Sequence, residues 1–130
     1  APIFFPNALD GNYYLRIVHR NSLETWSKAG GETYTRGLPI NYNIATDSTN
    51  VYGGNVQRLT YSPDRFGLYA GDVNRDGTID ATDTQLIDND AYLFLAGYLQ
   101  TDLTGDNFVD GADALLAGNN AVNYVSVVSP

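Results

Sequence analysis

The chain has 130 residues, with fifteen acidic and seven basic side chains and a formal net charge of −8. It lacks the basic patch that binding to DNA or RNA requires, and it has no apolar run of about eighteen residues that could span a membrane. Cysteine is absent, which excludes disulfides and a cysteine-based metal site.

The first half of the chain shows the period-two alternation that is typical of antiparallel β-strands. Within residues 12–20, Tyr13, Leu15 and Ile17 fall on one face and the intervening residues on the other. Glycine pairs and other turn-forming residues separate this segment from similar ones. The predicted strands are Asn12–Arg20, Glu24–Lys28, Glu32–Arg36, Ile40–Ala45, Gln57–Ser62 and Phe66–Tyr69. We therefore expect residues 1–70 to form a small antiparallel β-sandwich-like domain, within an α+β chain.

This predicted domain is short, because complete sandwiches usually have about one hundred residues and seven strands. We expect it to be incomplete or complemented by an additional strand. It begins with residues 1–6, in which three large apolar side chains lie between two prolines and cannot form a helix. The segment predicts either an ordinary first strand of its own domain or a strand that pairs with another subunit. Head-to-tail pairing that does not close would build a filament.

Two loops of the same design follow at residues 72–83 and 102–113. In both, oxygen-bearing side chains occupy positions one, three, five, nine and twelve. This is the ligand order of the twelve-residue calcium loop, in which position seven contributes a backbone carbonyl. Without a cation, the four carboxylates of each loop would mostly repel one another. The sequence therefore predicts two bound Ca²⁺ ions. The predicted ligands are Asp72, Asn74, Asp76, Thr78, Asp80, Asp83, Asp102, Thr104, Asp106, Phe108, Asp110 and Asp113.

Three further features of the loops agree with calcium chemistry. Position six needs a positive φ and holds Gly77 and Asn107, the residue types that adopt it most easily. Position eight holds Ile79 and Val109, β-branched residues that predict a short strand pairing between the two loops. Eight of the ten acids in residues 71–130 lie in the loops, and this half carries a net charge of −9 against +1 for the first. The negative charge is thus expected to serve metal binding.

The repeat continues beyond the loops, since Leu86 aligns with Leu116 and Phe94 with Tyr124. It predicts a helix after each loop, whereas residues 65–71 before the first loop are typical of a strand. A loop–helix unit that occurs twice and opens with the sequence of residues 71–77 resembles the type I dockerin module of bacterial extracellular proteins. The resemblance covers roughly residues 71–125. It implies two calcium ions, folding that is coupled to calcium, and in many relatives docking to a cohesin domain.

The residues that lead cohesin recognition in dockerins are only partly matched. They are small hydroxyl residues just before the last ligand of each loop, and this chain has Ala81-Thr82 in one copy and Gly111-Ala112 in the other. The chain also resembles C-terminal regions of large secreted bacterial surface proteins, in which a stretch like that of residues 19–26 precedes such a repeat.

Residues for catalysis are scarce. His19 is the only histidine, and no serine lies in a nucleophile-elbow pattern. A carboxylate pair for glycoside hydrolysis would have to come from Glu24, Glu32 or aspartates outside the loops such as Asp10. Both glutamates lie beside predicted turns, where a solvated surface acid is the usual role. We expect that the protein is not an enzyme.

Two surface features each leave two interpretations open. Trp26 among many tyrosines predicts either cross-strand and core packing or a platform on which a sugar could stack. Asp47-Ser48-Thr49 is typical of a capped polar turn, and it is also similar to a bacterial O-glycosylation acceptor, which would place a glycan at Ser48 or Thr49.

The sequence thus predicts a calcium-stabilised structural protein of bacteria, located outside the cell or at its surface, where calcium is abundant enough to fill weak sites. We expect it to self-associate by strand pairing in an assembly or filament. The alternative is a dockerin-type adaptor that anchors a secreted protein to a cohesin or to the cell surface.

Overall fold

A computed structural model describes the chain at residues 2, 3 and 5–130, with side chains from residue 5 onward. The protein is a small α+β structure of short antiparallel strand pairs and two helices, which confirms the predicted class. The strands are β1 (Pro2–Ile3), β2 (Gly11–Tyr13), β3 (Arg16–Ile17), β4 (Thr25–Trp26), β5 (Glu32–Tyr34), β6 (Ile40–Asn41), β7 (Gln57–Tyr61) and β8 (Asp64–Gly67). The helices are α1 (Ala81–Tyr92) and α2 (Gly111–Ala121).

The chain divides into two compact units. The first contains residues 1–17, 25–67 and 128–130, and the second contains residues 18–24 and 68–127. Residues 18–24, which the sequence placed in the β-half, therefore group with the unit that holds the two loops. No helix in the described residues is long and apolar enough to cross a membrane.

The strands of the first unit form four separate antiparallel pairs: β1 with β6, β2 with β5, β3 with β4, and β7 with β8. The long strand predicted over residues 12–20 is divided, because β2 and β3 pair with different partners. An alternating pattern marks which residues can lie in strands, but it does not mark where one pairing ends and the next begins. The arrangement of these pairs as a sandwich remains a prediction.

A small core holds the first unit together around Tyr34. The ring of Tyr34 is buried with Leu15 and Ile40, and its hydroxyl donates to the carbonyl of Phe5 at 2.8 Å. The Phe5 ring meets Tyr34 edge to face, with the ring centroids 6.0 Å apart. The N-terminal segment thus packs partly within its own unit, where the backbone of β1 pairs with β6. Residues 1 and 4 of the predicted apolar segment lie outside the described residues.

The second unit is built around the two helices. Its core contains Val73, Ile87, Val109 and Ala117, which are buried and come from the two loops and the two helices in turn. The segment 18–24 joins this unit through its backbone, as the amide of Leu23 donates to Tyr69 and that of Gly71 donates to Asn21, both at 2.8 Å.

Candidate metal centres

Each loop runs directly into a helix, and two of its predicted ligands cap that helix. The side chains of Asp80 and Asp110 are the N-caps of α1 and α2, and the carboxylates of Asp83 and Asp113 accept in return from the N-cap amides. These reciprocal bonds form a capping box, which satisfies two of the amides that the first turn of a helix leaves without partners. Positions nine and twelve of each loop thus fix where its helix begins.

The carboxylate at position twelve also closes each loop on itself. Asp83 is fully buried and accepts from the amides of Val73, Asn74 and Asp80 at 2.9, 3.2 and 3.0 Å. Asp113 repeats this pattern with the amides of the corresponding residues, at 2.8, 2.8 and 2.9 Å. Because each carboxylate ties the start of its loop to the helix, the loop backbone has a fixed path.

The backbone turns where the calcium-loop pattern predicts. Gly77 and Asn107 at position six have φ values of 88° and 72°, which confirms the expectation for both. Position four also has positive φ, at 61° for Arg75 and 78° for Gly105. The ligand spacing does not predict this second turn, although the glycine at position four of the second loop is a signal for it.

The first ligand position of the first loop is a buried carboxylate with an unsatisfied oxygen. Asp72 is only 3% exposed, and its Oδ1 is buried without a hydrogen-bond partner. Burial, and then the nearby charges of Asp83 and Asp76, raise the pKa of Asp72, while the amides of Gly77 and Arg75 lower it. A buried oxygen of this kind is costly unless a cation or donor meets it. The first loop thus contains negative charge that its own donors do not balance.

The corresponding carboxylate of the second loop has more partners. Asp102 accepts from the amides of Gly105 at 2.7 Å and Asn107 at 3.2 Å. Its Oδ2 lies 3.8 Å from the guanidinium of Arg20, which also donates to the Asp102 carbonyl at 3.0 Å. The amide of Asn21 donates to the same carbonyl at 2.8 Å. The contacts of Arg20 and Asn21 with the second loop could not be predicted from the sequence, because they join residues some eighty positions apart and leave no local pattern.

The remaining predicted ligands lie in the exposed middle of each loop. The side chains of Asn74, Asp76 and Asp106 accept from backbone amides two residues further along, at 2.8, 2.9 and 2.9 Å. Thr104 is exposed as well, and its hydroxyl is 3.4 Å from Asp102 Oδ1. Within the described residues, no three carboxylate, histidine or cysteine side chains converge closely enough to hold a metal ion. The structure therefore places each predicted set along one loop, with its carboxylates directed largely at backbone amides.

The pairing of the loops differs from the prediction. Ile79 and Val109 do not exchange their amide bonds with each other, since Ile79 donates to Val125 at 2.8 Å and Val109 donates to Leu95 at 3.0 Å. Thr78 and Phe108, the position-seven residues, form bridges with Ser126 and Ala96. Each loop thus pairs with the segment that follows the helix of the other repeat, and the C-terminal segment closes the first loop.

This exchange makes the two repeats depend on each other. The side chains of Ile79 and Val109 are buried, at 0% and 4% exposure. The last turn of each helix also makes a hydrogen bond with residues just before a loop. Thr101 donates to Asp90 of α1 at 2.6 Å, and Asn120 of α2 donates to the carbonyl of Ala70 at 2.7 Å. A change in the backbone of one loop is therefore expected to affect the segment after the opposite helix.

Three of the candidate catalytic groups make contacts that are common for polar side chains. His19 is exposed, with its Nδ1 3.3 Å from the hydroxyl of Ser22. Glu32 forms an ion pair with Lys28 at 3.3 Å, and Asp10 accepts from the amide of Arg36 at 2.7 Å. That the protein is not an enzyme remains a prediction.

The two surface features of the first unit are also placed. The ring of Trp26 meets that of Tyr14 edge to face, with the centroids 6.5 Å apart, and the guanidinium of Arg16 lies 5.9 Å from its centre. Asp47 caps a short 3₁₀ turn, where its carboxylate accepts from the amide and hydroxyl of Thr49, each at 2.8 Å. These bonds lower the pKa of Asp47. The capped turn is thus present, and glycosylation of Ser48 or Thr49 remains a prediction.

Comparison with known proteins gives no assignment, since no protein-family model, curated protein or solved structure matches this chain.

Proposed function

We propose that the second unit binds two Ca²⁺ ions and that the protein is a calcium-stabilised structural component of a bacterial surface assembly. The observation that carries the proposal is the buried, unpartnered Oδ1 of Asp72 in a loop with the ligand spacing of a calcium site. In the first loop the ligands would be Asp72, Asn74, Asp76, the carbonyl of Thr78, Asp80 and Asp83. In the second they would be Asp102, Thr104, Asp106, the carbonyl of Phe108, Asp110 and Asp113.

Charge supports a hard divalent cation rather than a neutral ligand. Residues 71–130 contain ten aspartates and a single arginine. The backbone amides around Asp83 and Asp113 and the helix N-termini offset part of the negative charge, but they leave Asp72 raised in pKa. Calcium accepts six to eight oxygen ligands in flexible geometry, so modest side-chain movements in the exposed middle of each loop could complete its shell.

Calcium would couple the two repeats. An ion in the first loop fixes the backbone around Ile79, which pairs with Val125 after α2. An ion in the second fixes the backbone around Val109, which pairs with Leu95 after α1. Sites of this kind are filled where calcium is millimolar, which supports an extracellular location.

The proposed structural role rests on the strand pairs of the first unit. Each described pair has only two strands, which favours the addition of a further strand at an edge. Pairing of such an edge with a strand from a second copy would complete a sandwich-like sheet, and repeated head-to-tail pairing would give a filament.

A second candidate is the dockerin-type adaptor, and the surface of the second unit favours it. Phe94, Tyr98 and Tyr124 are 90%, 82% and 74% exposed, and Leu86 and Leu116 are also exposed. Large apolar side chains in this number on one small unit favour binding to another protein. In this case the monomer would bind one cohesin-like or cell-surface partner rather than copies of itself.

Calcium titration with melting measurements tests the metal part of the proposal. Isothermal titration should give two bound Ca²⁺ per chain. The melting temperature in millimolar calcium should be well above the melting temperature in chelator. Asp76→Asn and Asp106→Asn change exposed ligands and should each remove one site. Asp88→Asn is the matched control, because Asp88 is an exposed aspartate of α1 outside the loops. Equal melting with calcium and with chelator would contradict the proposal.

Negative-stain electron microscopy tests the structural part. Filaments that form in millimolar calcium and dissolve in chelator would support a structural subunit. Compact monomers under both conditions would overturn that role and favour the adaptor.

A further inference from the structure

The two loops differ in one respect that their sequences hide: among the described residues, only the second loop has a cation paired with its first carboxylate. Arg20 comes from the segment 18–24 of the same unit, and its side chain is mostly buried. Its guanidinium donates to the carbonyls of Leu99 and Asp102 and lies 4.1 Å from the centre of the Tyr98 ring. These contacts hold the charge of Arg20 beside the first ligand position of the loop.

The charge is directed at a carboxylate as well as at carbonyls. The distance from the guanidinium to Asp102 Oδ2 is 3.8 Å, and the Asp102 side chain is almost completely buried. In that setting an ion pair is less screened than one in water. Both oxygens of Asp102 have protein donors as well, from the amides of Gly105 and Asn107. The second loop therefore balances its first carboxylate without a metal.

The first loop has no equivalent ion pair, although the amides of Gly77 and Arg75 also bond to Asp72. Among the described residues, no ion pair includes Asp72, and its Oδ1 is buried without a partner. Arg75 lies within that loop, but its Nε points to the carbonyl of Arg20 at 3.5 Å. Each loop thus has one arginine nearby, but among the described residues only the second loop has its arginine paired with the carboxylate at position one.

We propose that Arg20 is a built-in counter-ion of the second loop, which keeps that loop folded without calcium and makes it the weaker of the two calcium sites. This inference rests on the proposed calcium function. The first loop has an unbalanced buried oxygen, so it binds calcium more tightly and depends on the ion for its folded backbone. The second loop binds calcium against the positive charge of Arg20 and keeps its shape when calcium is low.

The physical consequence is a stepwise response. As calcium rises, the first loop fills and orders its pairing with residues 125–127 before the second loop binds. As calcium falls, the second loop releases its ion first, while Arg20 and Asn21 continue to hold the carbonyl of Asp102. The unit would then have a half-loaded form in which one loop contains calcium and the other contains Arg20 as its cation.

Calcium titration of four variants tests this proposal in the full chain. Asp76→Asn disables the first loop and isolates the second, and Asp106→Asn does the reverse. Both residues are exposed. The first loop should bind more tightly than the second. Adding Arg20→Met to Asp76→Asn should tighten the second loop by roughly tenfold, which is the size expected for removing a unit charge several ångströms from a divalent ion. Arg20→Lys keeps the charge and should leave the affinity near that of the parent.

A measurement in chelator gives a readout that does not depend on calcium binding. Amide exchange at Leu103, Thr104 and Gly105 should be faster in Arg20→Met than in the parent, because the loop has lost its only described cation. Asn21→Ala removes a hydrogen bond to the same carbonyl without changing charge, so it should loosen these amides slightly and should not tighten calcium binding.

The outcomes separate the two proposals. If neither loop binds calcium, the proposed function is wrong and this inference is wrong with it. If both loops bind equally, or if Arg20→Met leaves the second loop unchanged or weakens its binding, the counter-ion inference alone is overturned. In the last case Arg20 would be a structural clamp whose hydrogen bonds matter more than its charge.

Discussion

The two units bury different kinds of polar group. In the first unit, Tyr34 is buried with its hydroxyl bonded to the carbonyl of Phe5, and Ser27 accepts from the amide of Leu15 at 2.9 Å. In the second unit, the buried polar groups include the four carboxylates at positions one and twelve of the loops: Asp72, Asp83, Asp102 and Asp113. Neutral groups of the first kind need only their hydrogen bonds, whereas buried carboxylates also need positive charge. We therefore expect the stability of the second unit, but not that of the first, to depend on a cation.

The largest expected effect comes from removing calcium. A site that is saturated a thousandfold above its dissociation constant adds about 4 kcal/mol to the stability of the state that binds it. In chelator, slow amide exchange should be lost around Val73 and Ile79 of the second unit, while the amides of Leu15 and Tyr34 keep their protection. Hydrogen exchange followed by mass spectrometry measures both in one sample. Equal loss of protection in the two units would contradict the prediction that only the second unit depends on calcium.

Removing a position-twelve carboxylate should have the next largest effect. Asp113→Ala leaves three amides, those of Leu103, Thr104 and Asp110, without an acceptor. The expected cost is at least about 3 kcal/mol, since each buried donor without a partner costs about 1–3 kcal/mol. Urea denaturation should show this loss in chelator as well as in calcium, and more strongly in calcium. Asp88→Ala serves as the control, and a cost no larger than that of the control would contradict the prediction.

A change at Asp72 should reverse sign with calcium. In chelator, the raised pKa of Asp72 means that the fold disfavours its charged form, so the stability that this group contributes is present below its ordinary value of 3.8 and is lost as pH rises through the raised value. At pH 7 Asp72→Asn should therefore stabilise the calcium-free protein. In calcium the same variant should be less stable than the parent. Melting temperatures in both buffers measure this, and a loss of stability in both would contradict it.

The features that could be predicted from the sequence are those that local chemistry determines. The turns at Gly77 and Asn107 and the helices that begin after each loop follow from residue types a few positions apart. The exchange of loop partners could not be predicted, because the bond between Ile79 and Val125 joins residues that are far apart in the chain. Val109 has the same β-branched character as Ile79, so pairing between the loops fitted the pattern equally well.

The grouping of residues 18–24 with the second unit could not be predicted from the sequence for a related reason. The alternation of residues 12–20 is continuous, and nothing in it indicates that the chain leaves the first unit after Ile17. Arg20 fits the pattern as an outward-facing strand residue, whereas in the structure it contacts the second loop. Periodicity reports which face a residue occupies but does not report what covers that face.

The smallest expected effect is a pH dependence of the stability of the first unit, which tests whether that unit is independent of calcium. Burial, and then the negative charge of Glu32, raise the pKa of Tyr42 to about 12. The Tyr42 hydroxyl donates to the carbonyl of Asn50, a bond that the ionised form cannot make. Because the folded pKa lies above the ordinary value of 10.0, this contribution to stability is complete below pH 10 and is lost as pH rises toward 12.

The pH dependence at Tyr42 should be the same with and without calcium, since Tyr42 belongs to the unit in which none of the described carboxylates is buried. Urea midpoints that are measured at pH 9 and at pH 11.5 should fall more for the parent than for Tyr42→Phe, which has no proton to lose. Absorbance at 295 nm reports the ionisation of tyrosine directly and should show one late-titrating group that the variant lacks. If the difference between the urea midpoints at pH 9 and pH 11.5 changed with calcium, the metal would affect the stability of the first unit. The division into a cation-dependent and a cation-independent unit would then be wrong.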